Sequence, residues 1–300
     1  MSRTGTGTVE IAANGLTFRA RVAGPEDGRV VLLLHGFPQT SRCWAAQLDA
    51  LAAAGHRAVA VDQRGYSPGA RPEDPAAYAM AHLVDDVLGS IDALHTDQVD
   101  LVGHDFGGSV AWTVAGHHPG KVRTLTIAST PHPVAFVRAY QVRAAAAGEG
   151  SDGGTSSDQN QRSGYMRAFR EAPRGQIEAQ LLADGAARLR QAYAGHPEAS
   201  IAAHIEDMSA PGTLVAAVDW YRAMSATASA AVPPCPVPTL YVWSDGDPSI
   251  GRAAAEATEH HVTGPYDFVV LEGVSHWIPE QAAATFTPLL LTHLAATPWR

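Results

Sequence analysis

Residues 103–108 read Gly-His-Asp-Phe-Gly-Gly and stand between an apolar run, Val99-Asp100-Leu101-Val102, and a helical segment, Ser109 to His118. This junction constrains the chain more than any other stretch. Small residues at 103, 107 and 108 let the backbone turn sharply from strand into helix. The central side chain, Asp105, is then held out, strained and exposed, at the carboxyl edge of a sheet. The helix N-terminus behind it supplies N–H donors and a positive dipole end.

The rest of the chain supplies the sheet. Val30 to Leu34 is a continuous apolar run, the mark of a strand buried on both faces, and it stops at His35-Gly36-Phe37-Pro38. Trp44 to Ala54 reads as a helix that ends at Gly55. Strands at 58–61, 99–102 and 122–128 alternate with helices at 78–94 and 109–118. This grammar predicts the α/β class: a mostly parallel central sheet with helices on both faces.

The grammar breaks near residue 134. From there to about 230 no strand is evident, and helical pieces are separated by Pro173, Gly195, Pro197 and Pro211-Gly212. Residues 144–164, rich in Gly, Ser and Asp, read as mobile loop. Beyond the Pro-rich stretch 232–238 the pattern resumes: strand 239–243, helix 251–261, strand 268–271, helix 279–296. The expected organisation is a core in two parts, 1–133 and 231–300, with a helical insertion at 134–230.

Composition narrows the partners. Lys and Arg number 21 against 30 Asp and Glu, a net charge of −9. That balance disfavours nucleic acid and anionic membranes. No apolar run approaches the ~20 residues needed to span a bilayer, and the first residues lack the apolar stretch of a signal peptide. Two cysteines, Cys43 and Cys235, exclude a disulfide framework. A cytoplasmic protein is expected, and a homodimer is compatible with the sequence. The pairs His117-His118 and His260-His261 lack metal-ligand spacing on one helical face. No metal and no organic cofactor is expected.

The turn at 103–108 has the layout of a nucleophile elbow, G-x-S-x-G, with aspartate in place of serine. A serine needs a base before it can attack. An aspartate is already an anion at neutral pH and attacks saturated carbon directly. The product is an ester on the enzyme, so a base is needed afterwards, for the water that hydrolyses it. His276, among small residues after the last strand, is the candidate base. Asp247 is chosen over Asp245 as the acid that orients it. The backbone N–H groups of Phe37 and Phe106 are the candidate oxyanion donors. His104 reads as packing, and Asp105 as a mere helix cap is the bland alternative.

Together, HGFPQT at 35–40, DQRGYSPGARP at 62–72, GHDFGG at 103–108, STPHP at 129–133, DWYR at 219–222, DGDP at 245–248 and GVSHW at 273–277 resemble the α/β-hydrolase family. Within it they are most similar to the epoxide hydrolases, and the likeness covers nearly the whole chain. The resemblance implies the α/β-hydrolase fold with an inserted helical cap. It also implies that two cap tyrosines hydrogen-bond the epoxide oxygen. Tyr165, in Tyr165-Met166-Arg167-Ala168-Phe169, and Tyr221, in the DWYR segment, match those positions. Asp219 departs from the family's usual asparagine. As ordinary structure, both tyrosines would simply pack their rings in the cap.

The implied reaction takes a small-molecule epoxide and water to a vicinal diol. Asp105 opens the ring, the two phenols hold the oxygen, and His276 with Asp247 activates water. His35, Pro38 and Trp277 are expected in the pocket wall. A haloalkane or haloacid dehalogenase would use the same Asp105. Its usual handles are absent, because Phe106 has no N–H in its side chain and Ser109 is no arginine. A non-catalytic small-molecule-binding hydrolase fold is the remote alternative.

Overall fold

The computed structural model describes residues 6–141 and 158–298. Most of the loop expected at 144–164 lies outside the described residues. Its end does not behave as loop, since 158–162 is helical.

Eight strands form one sheet: β1 Gly7–Ala13, β2 Leu16–Ala23, β3 Val30–Leu34, β4 Arg57–Val61, β5 Val99–His104, β6 Val122–Ala128, β7 Thr239–Ser244 and β8 Tyr266–Leu271. Their spatial order is β1-β2-β4-β3-β5-β6-β7-β8. β2 is antiparallel to β1 and to β4, and the other pairings are parallel. The β1–β2 hairpin was not anticipated. Its turn is Asn14-Gly15, both at positive φ (52° and 75°). That dipeptide is the strongest short hairpin signal, so the hairpin was there to be read.

The α-helices before β6 are α1 Ala45–Ala53, α2 Met80–Ala93 and α3 Phe106–His117. Between β6 and β7 lie α4 Pro133–Gln141, α5 Asp158–Arg162, α6 Gly164–Glu171, α7 Gln176–Ala192, α8 Glu198–Ser209, α9 Thr213–Arg222 and α10 Ala226–Ala230. α7 is broken in the middle, where Asp184, Gly185 and Ala186 all have positive φ. After β7 come α11 Arg252–Glu256, α12 Ile278–Gln281 and α13 Ala283–Ala296. The helix expected at 251–261 is therefore shorter and continues as a 3-10 turn at Ala257–His261.

Strand side chains alternate between faces. Leu32 and Leu34 of β3 join one core with Leu83 and Ile91 of α2 and Val110 of α3. Val31 and Leu33 join the other with Leu48 of α1 and Phe286 and Leu290 of α13. Burial on both faces is why these strands read as unbroken apolar runs. Each fully buried leucine contributes roughly 1.5–3 kcal/mol. No described helix is long and apolar enough to cross a membrane. Cys43 and Cys235 are both buried and free.

β3 lies between β4, which follows it in the chain, and β5, which comes after β4. The strand order reverses there, and the carboxyl ends of β3 and β5 open a crevice.

Candidate active site

The crevice holds Asp105. Leu34 pairs with Gly103 across β3 and β5, so the chain leaving β3 runs beside the turn that leaves β5. Asp105 has φ 52° and ψ −123°, uncommon for a residue with a side chain. Its carbonyl accepts from the Ser109 N–H at 3.1 Å and from Thr130 Oγ1 at 2.8 Å, which hold the turn. Two glycines make room for it. A Cβ on Gly36 would stand 2.2 Å from Asp105 Cβ, and one on Gly107 2.2 Å from the Leu34 carbonyl oxygen.

The carboxylate meets different partners at its two oxygens. The Phe37 N–H donates to Oδ1 at 2.8 Å. His276 Nε2 lies 3.2 Å from Oδ2. His276 Nδ1 lies 2.8 Å from Asp247 Oδ2. Asp247 Oδ1 accepts from the N–H groups of Ser249 at 2.7 Å and Ile250 at 3.1 Å. Asp245 is exposed and accepts from the Gly273 N–H at 2.7 Å, away from His276.

Charge follows from this geometry. Burial opposes ionisation of His276, but the carboxylates of Asp247 and Asp105 outweigh it and lift the imidazole to about 10. Burial also opposes the charge on Asp105, yet the His276 hydrogen bond and charge carry its carboxyl below the ordinary value, and the Phe106 backbone adds to this. The resting site thus holds an imidazolium between two carboxylates.

Tyr165, near the start of α6, and Tyr221, on α9, line the same cavities as Asp105. Their ring centroids are 6.0 Å apart. Tyr221 is buried, with Phe37 at 5.3 Å and Phe106 at 4.8 Å, both edge to face. Tyr165 is 38% exposed, with its ring on the pocket. Both phenols are raised above their ordinary value. For Tyr165 the causes are burial and then the Asp105 charge; for Tyr221 they are burial, Tyr165 and Asp105. Both shifts favour the protonated phenol.

Asp105 stands at the junction of two cavities. One, about 260 Å³, has walls that include Pro38, Phe169, Leu181, Leu189 and Trp277. The other, about 70 Å³, includes Ser109, Phe136, Met166 and Ile250. Trp277 Nε1 donates to the Ala192 carbonyl at 2.8 Å, and Tyr193 Oη to the Pro38 carbonyl at 2.5 Å, so the end of α7 is pinned to both walls.

His35 does not join the wall. It is fully buried, with Nδ1 at 3.0 Å from the Gly36 carbonyl and Nε2 at 3.1 Å from the Gln63 N–H. It braces the loop behind the site, where both ring nitrogens are engaged. His104 is also a brace: its Nε2 lies 2.9 Å from the His276 carbonyl, and burial and the His276 charge lower it to about 4. The reading of the sequence gave no role to Phe169, Leu181, Leu189 or Ser249, which line the pocket. Only Phe169 had a signal, its place in the segment beginning at Tyr165. Asp219, where asparagine was expected, is fully buried and ion-paired to Arg174 and Arg222, each at 2.8 Å.

A strained strand-to-helix turn, with a carboxylate at its tip and a histidine and acid on later loops of the same sheet edge, defines a class of fold and site. The chain belongs to the α/β-hydrolase fold family, whose match covers residues 29–283. It is 30% identical over 290 residues to the AB hydrolase superfamily protein YfhM of Bacillus subtilis, covering 95% of this chain and 96% of that one. Epoxide hydrolase 3 of Mus musculus is 29% identical over 276 residues, 90% of this chain and 71% of its own. Epoxide hydrolase A of Mycobacterium tuberculosis is 28% identical over 323 residues, covering 95% and 96%. The crystal structure of epoxide hydrolase A from Mycobacterium thermoresistibile superposes with a TM-score of 0.84 at 24% identity, covering 99% of this chain and 100% of that one, a likeness of fold.

Proposed function

We propose that this chain is an epoxide hydrolase that works through a covalent ester on Asp105. One arrangement carries the reading: a carboxylate nucleophile sharing its pocket with two protonated phenols, Tyr165 and Tyr221. The relatives named epoxide hydrolases support it. The core is 1–133 with 231–300, and 134–230 is the cap.

In the first half-reaction, Asp105 Oδ2 attacks an epoxide carbon from the face opposite the ring oxygen. The C–O bond breaks, and Tyr165 and Tyr221 donate to the oxygen as its negative charge grows. Oδ1 becomes the ester carbonyl, already placed on the Phe37 N–H. Forming the ester removes the Asp105 charge, one of the two that hold the proton on His276. The imidazolium then passes that proton to the alkoxide left by ring opening, which becomes a hydroxyl, and the neutral imidazole acts as a base.

In the second half-reaction, His276 takes a proton from water and the hydroxide adds to the Asp105 carboxyl carbon. The Phe37 and Phe106 N–H groups hold the oxyanion on Oδ1. Collapse expels the diol oxygen, which takes the proton from His276. The Asp105 carboxylic acid returns its proton to His276, so epoxide and water become a vicinal diol and both the carboxylate and the imidazolium are restored.

Among the described residues that line the two cavities, the dehalogenase reading finds no free indole or guanidinium N–H. Phe106 offers no side-chain N–H, and the Trp277 indole N–H is engaged by Ala192. The deciding experiment incubates the enzyme with aryl and alkyl epoxides beside haloalkanes and haloacetates, measuring diol and halide, with Asp105→Ala as blank. Diol formation that disappears in the variant is expected. Halide release without diol would give the site to the dehalogenases.

A further inference from the structure

Where the inserted helices meet the core, three metal-ligating side chains converge from distant points in the chain. His196 precedes α8, His204 lies on it, and Glu280 lies on α12, which follows His276. His196 Nε2 and His204 Nε2 lie 3.2 and 3.1 Å from Glu280 Oε2. All three ligand atoms lie within 4.8 Å of one another. His204 is fully buried and His196 nearly so.

We propose that His196, His204 and Glu280 bind one divalent transition-metal ion of the zinc class, which ties the inserted helices to the core. The donor set fits, because two imidazoles and a carboxylate suit zinc, whereas calcium and magnesium ask for more oxygen ligands. The spacing fits as well. Ligand bonds of roughly 2.0–2.1 Å set neighbouring tetrahedral donors about 3.3 Å apart. The two carboxylate-to-imidazole separations are close to that edge.

The surroundings orient the ligands. His196 Nδ1 is engaged at the far edge of the ring by the Tyr193 carbonyl at 3.0 Å and the Gln281 amide at 3.2 Å, which leaves Nε2 for Glu280. The Tyr193 ring stacks on His204 at 4.9 Å. Such outer partners fix the direction of metal-bound imidazoles.

A second observation points the same way. Gln39 is fully buried and its Nε2 donates to Glu280, yet its Oε1 has no partner. A buried acceptor left unpaired is costly. Half a turn of the amide would present that oxygen as the fourth donor. Gln39 follows Phe37 by two residues, and Glu280 follows His276 by four. The ion would brace both walls of the pocket without touching Asp105. The inference is independent of the epoxide reading.

The test uses the full chain without a histidine tag, stripped with chelator and titrated with zinc chloride, reading bound zinc per chain and the calorimetric affinity. One zinc per chain is expected, with a Tm that rises as zinc is added. His196→Gln and His204→Gln should each lose about 10-fold or more in affinity, while His260→Gln keeps it. If His204→Gln does not fold, Glu280→Gln carries the same expectation. No saturable binding by the unmodified chain, or equal binding by the variants, overturns the proposal.

Discussion

The Phe37 N–H donates to Asp105 Oδ1 at 2.8 Å, while His276 Nε2 faces Oδ2 at 3.2 Å. The two oxygens of one carboxylate are thereby made unlike before any substrate arrives. On the proposed mechanism, Oδ1 already rests on the donor that the later oxyanion needs, and Oδ2, on the histidine side, attacks. The difference originates in register: β3 and β5 pair in parallel, and the loop leaving β3 delivers its N–H beside the turn leaving β5.

The phenols should matter in the first half-reaction. On the proposed mechanism, Tyr221→Phe and Tyr165→Phe each remove one donor to the departing ring oxygen. A lost donor of that kind costs roughly 10²-fold in rate. Rapid-mixing measurement of ester formation should show the loss in each variant and a larger loss in the double variant. Ester hydrolysis should change little. Variants slowed only in hydrolysis would take the tyrosines off the epoxide oxygen.

The imidazolium also affects stability. His276 is lifted from 6.5 to about 10 in the folded chain by Asp247 and Asp105, against the opposing effect of burial. A group whose pKa rises on folding binds its proton more tightly there. Its contribution is full below pH 6.5 and is lost as pH climbs through about 10. Tm measured from pH 7 to 10.5 should fall, and less steeply in His276→Gln. Parallel curves for the two proteins would contradict the charge assignment.

Arg222 lies 2.8 Å from both Glu178 and Asp219, two buried acids of the insertion. Asp219 keeps Arg174, but Glu178 has no other ion pair among the described residues. Arg222→Met should therefore destabilise the chain by about 3 kcal/mol, as expected when a buried charge loses its partner. Chemical denaturation measures it. A change below about 1 kcal/mol, the scale of a surface pair, would mean that water reaches Glu178.

Much of this was legible along the chain, and the rest for definite reasons was not. Strands buried on both faces, such as Val30–Leu34, carry their own signature, and the small residues around Asp105 mark a turn that few other structures need. Val9 and Glu10 of β1 are exposed, so that edge hairpin lacks an apolar run, and only Asn14-Gly15 announces it. Asp247, chosen over Asp245, lies 2.8 Å from His276 Nδ1, while Asp245 meets the Gly273 N–H. His35 was misplaced because a residue beside a pocket can point behind it, and sequence does not show direction. His196, His204 and Glu280 are unreadable as a group, since the fold alone brings them together.

The most direct measurement is the intact mass of His276→Gln after brief exposure to an epoxide. Without the base, the first half-reaction can proceed and the second should stall. The account predicts a gain equal to the mass of one whole epoxide, mapped by peptide fragmentation to Asp105 and absent from Asp105→Ala. An unmodified His276→Gln protein that still releases diol, or an adduct on another residue, would contradict the ester on Asp105.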